Sequence, residues 1–93
     1  GDPMLQAGAL CALARRIKEE CGKTIWCYTG YLFENLLTRP DTRELLAYID
    51  VLVDGPFILA ERDLSLRFRG SRNQRLIDVR RSISGKQTVE FQL

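Results

Sequence analysis

An α/β fold organised on a parallel βαβ unit is what this sequence predicts, and three stretches carry the prediction. Ile49 to Gly55, Ile-Asp-Val-Leu-Val-Asp-Gly, is a nearly unbroken β-branched and leucine run ahead of Gly55-Pro56, the pattern of a strand covered on both faces of a parallel sheet. Thr24 to Tyr28, Thr-Ile-Trp-Cys-Tyr, is a shorter run of the same character. Upstream, Leu10, Leu13, Ala14, Ile17 and Cys21 recur at helical spacing and form one apolar stripe. Strand, helix and strand joined by short connections read as a right-handed βαβ unit.

Taken in order, Asp2 is a candidate cap and Pro3 suits a first helical turn, so a helix is predicted from about Met4 to Glu20 with Gly22 closing it. Cys11 and Cys21 lie on or beside the apolar stripe and read as buried small hydrophobes. The Thr24 strand ends at Thr29-Gly30, where a glycine permits a sharp turn and a threonine offers a hydroxyl. Within it Trp26 and Tyr28 share one face and Cys27 takes the other. Tyr31 to Leu37 reads as a short helix stopped by Pro40, and Asp41 to Glu44 has capping-box spacing that opens another helix through about Tyr48. Asp50 is expected to face solvent at the start of the Ile49 strand. Ligands in such sheets gather beyond the carboxyl ends of the strands, which makes Asp54 a candidate for chemistry or, equally, the residue that starts the Gly55-Pro56 turn. A loop is expected after Pro56, an alternating stretch short for a strand over Leu64 to Phe68, and a final hairpin of Leu76 to Val79 with Thr88 to Phe91 turning at Ser84-Gly85-Lys86.

The chain of 93 residues fits one domain with a modest core, since at this size about 60 to 70% of the unfolded surface is buried. No apolar run approaches the roughly 18 residues of a membrane span, secretion is not expected because the opening residues lack a basic segment before an apolar stretch, and the opening Gly-Asp-Pro looks cut from something longer. Cys11, Cys21 and Cys27 are separated by nine and five residues, a spacing that matches no common zinc, haem or iron–sulfur pattern. The chain has no histidine, which rules out Ser-His and Cys-His nucleophilic catalysis within it. Reduced thiols and a cytoplasmic location follow as expectations. Charge is divided: Arg62 to Lys86 holds eight basic residues against two acidic ones, so it carries +6 within a total of +2. That third of the chain is expected to meet something anionic.

Four segments resemble the activating enzymes of anaerobic ribonucleoside-triphosphate reductase, in the radical S-adenosylmethionine (SAM) superfamily. They are Gly1-Asp2-Pro3, Trp26 to Tyr31, Ile49 to Gly55 and Asp63 to Arg75, in the family's order. The resemblance implies the carboxyl-terminal half of a radical SAM partial (β/α) barrel, whose parent protein uses SAM and a 4Fe-4S cluster to raise a glycyl radical on the reductase. In that family a Gly-Gly-Asp/Glu-Pro segment receives the methionyl amino group of SAM, so Gly1 and Asp2 would be its second glycine and its acid. Similarity to related glycyl-radical activases places Thr29 and Asp54 at rim positions facing the cofactor. The family's CxxxCxxC motif is absent from this sequence. The chain alone is therefore expected to bind no cluster or SAM and to catalyse nothing, and no residue is assigned a catalytic or metal-ligating role.

Arg67, Arg69, Ser71, Asn73, Gln74 and Arg75 form an unusual segment of planar donors and permissive backbone that suits a carboxylate or phosphate. The resemblance implies a surface that seats SAM or the reductase's glycine loop. A solvated loop with local ion pairs to Asp63 and Asp78 is the plainer reading, and nucleic-acid binding is disfavoured by aromatics committed to packing. Two other readings of the whole stand beside the activase: a stand-alone α/β interaction module, and the activase of a pyruvate formate-lyase-type glycyl-radical enzyme. A half barrel also leaves sheet edges exposed, so self-association through one of them is expected.

Overall fold

Asp2 and Pro3 start the first helix as their types require. The Asp2 carboxylate accepts from the Met4 amide at 3.0 Å, and Pro3, with no amide hydrogen to lose, takes the first helical position. In the computed structural model, which describes residues 1–93, a 3-10 turn over Pro3–Gln6 passes into helix α1, Ala7–Cys21. Gly22 ends α1 at φ 61°, its amide donating to the Ile17 and Lys18 carbonyls, a left-handed cap that favours glycine.

Strand β1 (Trp26–Tyr28) follows, then the one-turn helix α2 (Phe33–Leu36), helix α3 (Pro40–Leu46) and strand β2 (Val51–Asp54). Strands β1 and β2 are parallel, with Trp26 opposite Val51 and Tyr28 opposite Val53, so the predicted βαβ connection is present. Pro40 does not only end what precedes it. It opens α3, because a first-turn residue needs no amide donor, and Arg39 occupies the cap position. The Asp41–Glu44 capping box does not form; the Asp41 carboxylate accepts from the Thr42 amide and pairs with Arg39.

Strand β3 (Arg75–Asp78) runs antiparallel to β2 on its other side, giving the order β1-β2-β3. The predicted terminal hairpin is replaced by helix α4 (Val79–Gly85), after which the tail returns to β3 through a single bridge, Ile77 with Glu90. Asp78 decides this, since its carboxylate accepts from the Arg81 amide and so caps a helix where the sequence reading continued a strand. Residues 64–68 form no strand.

The two sheet faces bury different partners. Leu52 and Ile77 pack with the helices around Met4, Phe33, Leu36 and Leu46, with Cys27 on the same side. Val51, Val53 and Leu76 face the other way, against Trp26 and Phe91. Phe68 and Phe91 lie against Trp26 with ring centroids 5.1 and 5.5 Å away. Asp50 does not face open solvent, because it pairs with Lys18 and accepts from the Ile25 amide at 2.8 Å. The free side of β1 is unpaired. Its bonds to β2 are made at Ile25 and Thr29, so the alternate residues Trp26 and Tyr28 turn their backbone groups to the open edge. No helix is long and apolar enough to cross a membrane.

Candidate functional site

At the carboxyl end of β1 the chain's start is tied to the strand. The Thr29 amide donates to the Val53 carbonyl, which holds Thr29 in line with the sheet, and its hydroxyl lies 2.9 and 3.0 Å from the two oxygens of Asp2. Gly30 donates its amide to the Asp2 carboxylate at 2.7 Å. A carboxylate offers about four lone-pair positions. The Met4 amide, the Thr29 hydroxyl and the Gly30 amide occupy three of them, which leaves one for a further donor. Beside this knot a cleft of about 290 Å³ is lined by Gly1, Asp2, Thr29, Gly30, Val53 and Phe57, with Gly55 and Gln74 closing it. The carboxyl end of β1 and the start of the first helical turn thus bring Thr29 and Asp2 together.

Asp54 is placed differently. The side chain of this last β2 residue is fully buried on the helix face and away from the cleft, where it accepts from the Phe33 amide at 2.8 Å. Arg75 meets it from β3 through two nitrogens at 2.9 and 2.5 Å and continues to Glu34 at 2.7 and 3.0 Å. The Thr88 hydroxyl completes the cluster on Glu34 at 2.8 Å. Hydrogen bonds to Asp54 and then Glu34 push the Arg75 guanidinium further towards its charged form. The same bond from Arg75 holds Glu34 down to about 2. The direction fixes a pH dependence: a carboxylate with a depressed folded value adds stability above its ordinary 4.5, and that stability is lost as pH falls towards about 2. Acid titration of the folding equilibrium should therefore show a loss across this window, and Glu34→Gln should flatten it. An unchanged acid profile in Glu34→Gln would contradict the assignment.

The arginine-rich segment is largely bonded to itself. Ser71 is fully buried and its hydroxyl accepts from the Ile58 amide at 3.3 Å, while Gln74 accepts from the Gly70 and Ser71 amides and donates to the Gly55 carbonyl. Asn73 donates to the Pro56 carbonyl at 2.7 Å, and Arg69 donates to the Gln74 carbonyl at 2.5 Å. Arg67 lies over the Phe68 ring, 5.3 Å from its centroid. Arg75 belongs to the Asp54 cluster rather than to an open anion site. The ion pairs expected with Asp63 and Asp78 do not form: Asp63 accepts from Ser65, and Asp78 caps α4. Glu34 was not singled out in the sequence, and a partnership spanning 41 positions leaves no local signal.

The family described as a 4Fe-4S single cluster domain matches residues 1–77. The chain belongs to that family. Among curated relatives it is 49% identical over 77 residues to the anaerobic ribonucleoside-triphosphate reductase-activating protein of Vibrio cholerae, 46% to that of Haemophilus influenzae and 40% to that of Escherichia coli K12. The matched region is 80% of this chain, and the chain spans about half the length of these relatives. No solved structure matches it significantly.

The cysteines of this 4Fe-4S family member do not fit a cluster. Cys11 is half-buried on α1, Cys21 is exposed at its end and Cys27 is half-buried on β1, and no three Cys, His, Asp or Glu side chains gather in a metal-binding group. Burial, with the Asp2 charge adding to it, pushes the Cys27 thiol up to about 11, which opposes the thiolate an iron ligand must be. Cys21, expected to be buried, lies at the exposed final position of the helix.

Proposed function

We propose that this chain is the carboxyl-terminal half of a radical SAM activase that serves an anaerobic ribonucleoside-triphosphate reductase, with its sheet continuing at the open edge of β1 into a partial (β/α) barrel. The observation that carries the reading is the Asp2–Thr29–Gly30 knot beside the rim cleft, a carboxylate with one unused acceptor position at the carboxyl end of a parallel strand. Asp2 receives the amino group of the cofactor there, Thr29 and Gly30 fix the orientation of the carboxylate, and Val53 and Phe57 supply apolar wall. When bound in the complete protein, SAM and the cluster supply the radical chemistry that ends in a glycyl radical on the reductase. The cluster's ligands come from outside these residues. The names of the relatives favour the ribonucleotide reductase as target over a pyruvate formate-lyase-type enzyme, and they disfavour a stand-alone interaction module.

A chimera tests the proposal. The amino-terminal half of the Vibrio cholerae relative joined to this chain should, with reconstituted iron, SAM and a reductant, form 5′-deoxyadenosine and place an electron-paramagnetic glycyl signal on the reductase. This chain alone should do neither. A folded, cluster-loaded chimera that leaves SAM intact would overturn the reading.

A further inference from the structure

We infer that residues 57–74 form a docking finger for the partner protein, taking a segment of that protein in which carboxylates flank apolar side chains. The inference rests on the activase reading for the identity of the partner. Its geometry stands on the finger alone.

The segment is built as two short legs and a tip. Arg62 bridges Ser71, the Arg72 amide donates to the Glu61 carbonyl at 3.0 Å and the Asp63 amide to the Gly70 carbonyl at 3.2 Å. Phe68 pins the tip to Trp26, and its backbone takes φ 66° to get there, a left-handed conformation that a large side chain holds only when its surroundings fix it. Gly70 lets the other leg close: a Cβ there would lie 3.1 Å from the Phe57 ring. Such a frame fixes its outward side chains in place. Those side chains are apolar, with Leu64 86% exposed, Leu59 71% and Phe57 53%. Concentrated exposure of this kind on a held backbone marks an interaction surface.

Charge specifies the partner. Arg62, Arg67 and Arg72 are exposed on the same finger, and every ion pair in the chain is made by other cations. Asp63 makes no direct ion pair with them: its carboxylate accepts from the Ser65 amide and hydroxyl and feels Arg72 only at a distance, so the four arginines of residues 57–74 outnumber its two carboxylates, Glu61 and Asp63. The matching surface therefore carries carboxylates around an apolar centre. Nucleic acid fits less well, since Phe68 is already occupied by Trp26 and leucines offer no stacking platform. Position adds to this. Phe57 and Gln74 belong both to the finger and to the lining of the rim cleft, so a segment seated on the finger lies beside that cleft.

Calorimetric titration of this chain with anaerobic ribonucleoside-triphosphate reductase tests the inference. The double variant Leu59→Ser/Leu64→Ser should bind at least 10-fold more weakly with unchanged thermal unfolding, because both side chains are exposed. Arg62→Glu/Arg72→Glu should weaken binding and flatten its salt dependence, and Leu5→Ser, exposed elsewhere, should leave it unchanged. Unaltered affinity in the leucine double variant overturns the docking surface and leaves the activase reading standing. Absence of binding by the unsubstituted chain overturns the activase's partner and the docking proposal together. Sedimentation of the chain alone covers the second-copy occupant: a dimer that dissolves in the leucine double variant overturns the proposal in favour of self-association.

Discussion

Arg75→Met is expected to remove about 3 kcal/mol of stability, the lower end of what breaking a buried ion pair costs. The reason is the carboxylate left behind. Asp54 is fully buried, and without Arg75 its remaining donor is the Phe33 amide. A domain of this size has roughly 5 to 15 kcal/mol in total, so a shift of this size takes up a large part of it. Chemical denaturation with Glu34→Gln as comparison separates the two arms of the cluster. Glu34 is half-exposed at 51%, and solvent screening should keep its cost below about 1 kcal/mol. Asp54→Leu combined with Arg75→Met should recover much of the loss, since apolar replacement of both partners removes the stranded charge. A loss below about 1 kcal/mol in Arg75→Met alone would show that Asp54 does not need its partner.

In the chimera, Asp2→Ala should raise the KM for SAM by about 10- to 100-fold, the equivalent of one charge-assisted hydrogen bond of roughly 1.5 to 3 kcal/mol. Thr29→Val should have a smaller effect in the same direction, because the hydroxyl acts by holding the carboxylate rather than by meeting the ligand. Steady-state 5′-deoxyadenosine formation at varied SAM reads both. An unchanged KM in Asp2→Ala would remove the carboxylate from the binding site and leave it as a helix cap only.

The parts of the fold legible in the sequence are those whose physics is local. A proline beside a capping aspartate, a glycine at a helix end and two β-branched runs specify α1, β1 and β2 without help from distant residues. Helix α4 was missed because Leu76 to Val79 reads as a strand until Asp78 is seen turning its carboxylate to the Arg81 amide. At the site, Asp2 and Thr29 were legible through the resemblance and meet in space. The same resemblance put Asp54 at the rim facing the cofactor, but alternation along a strand sends neighbouring residues to opposite faces, so Val53 lines the cleft while Asp54 goes to the helices. Arg75 looked like part of an anion-binding run because sequence shows a cation's neighbours and not the carboxylates that come to it from two other elements.

The returning tail has a consequence for assembly. Val89 accepts from the Asp78 amide and Phe91 donates to the Leu76 carbonyl, so the outer flank of β3 is occupied while that of β1 is vacant. The tail pairs with β3 through one bridge and two backbone bonds, a short edge of the kind that resists further pairing, whereas β1 offers a whole strand. Backbone pairing with a further strand, from the rest of the protein or from a second copy, is therefore directed to the flank where Trp26 and Tyr28 present their amides and carbonyls.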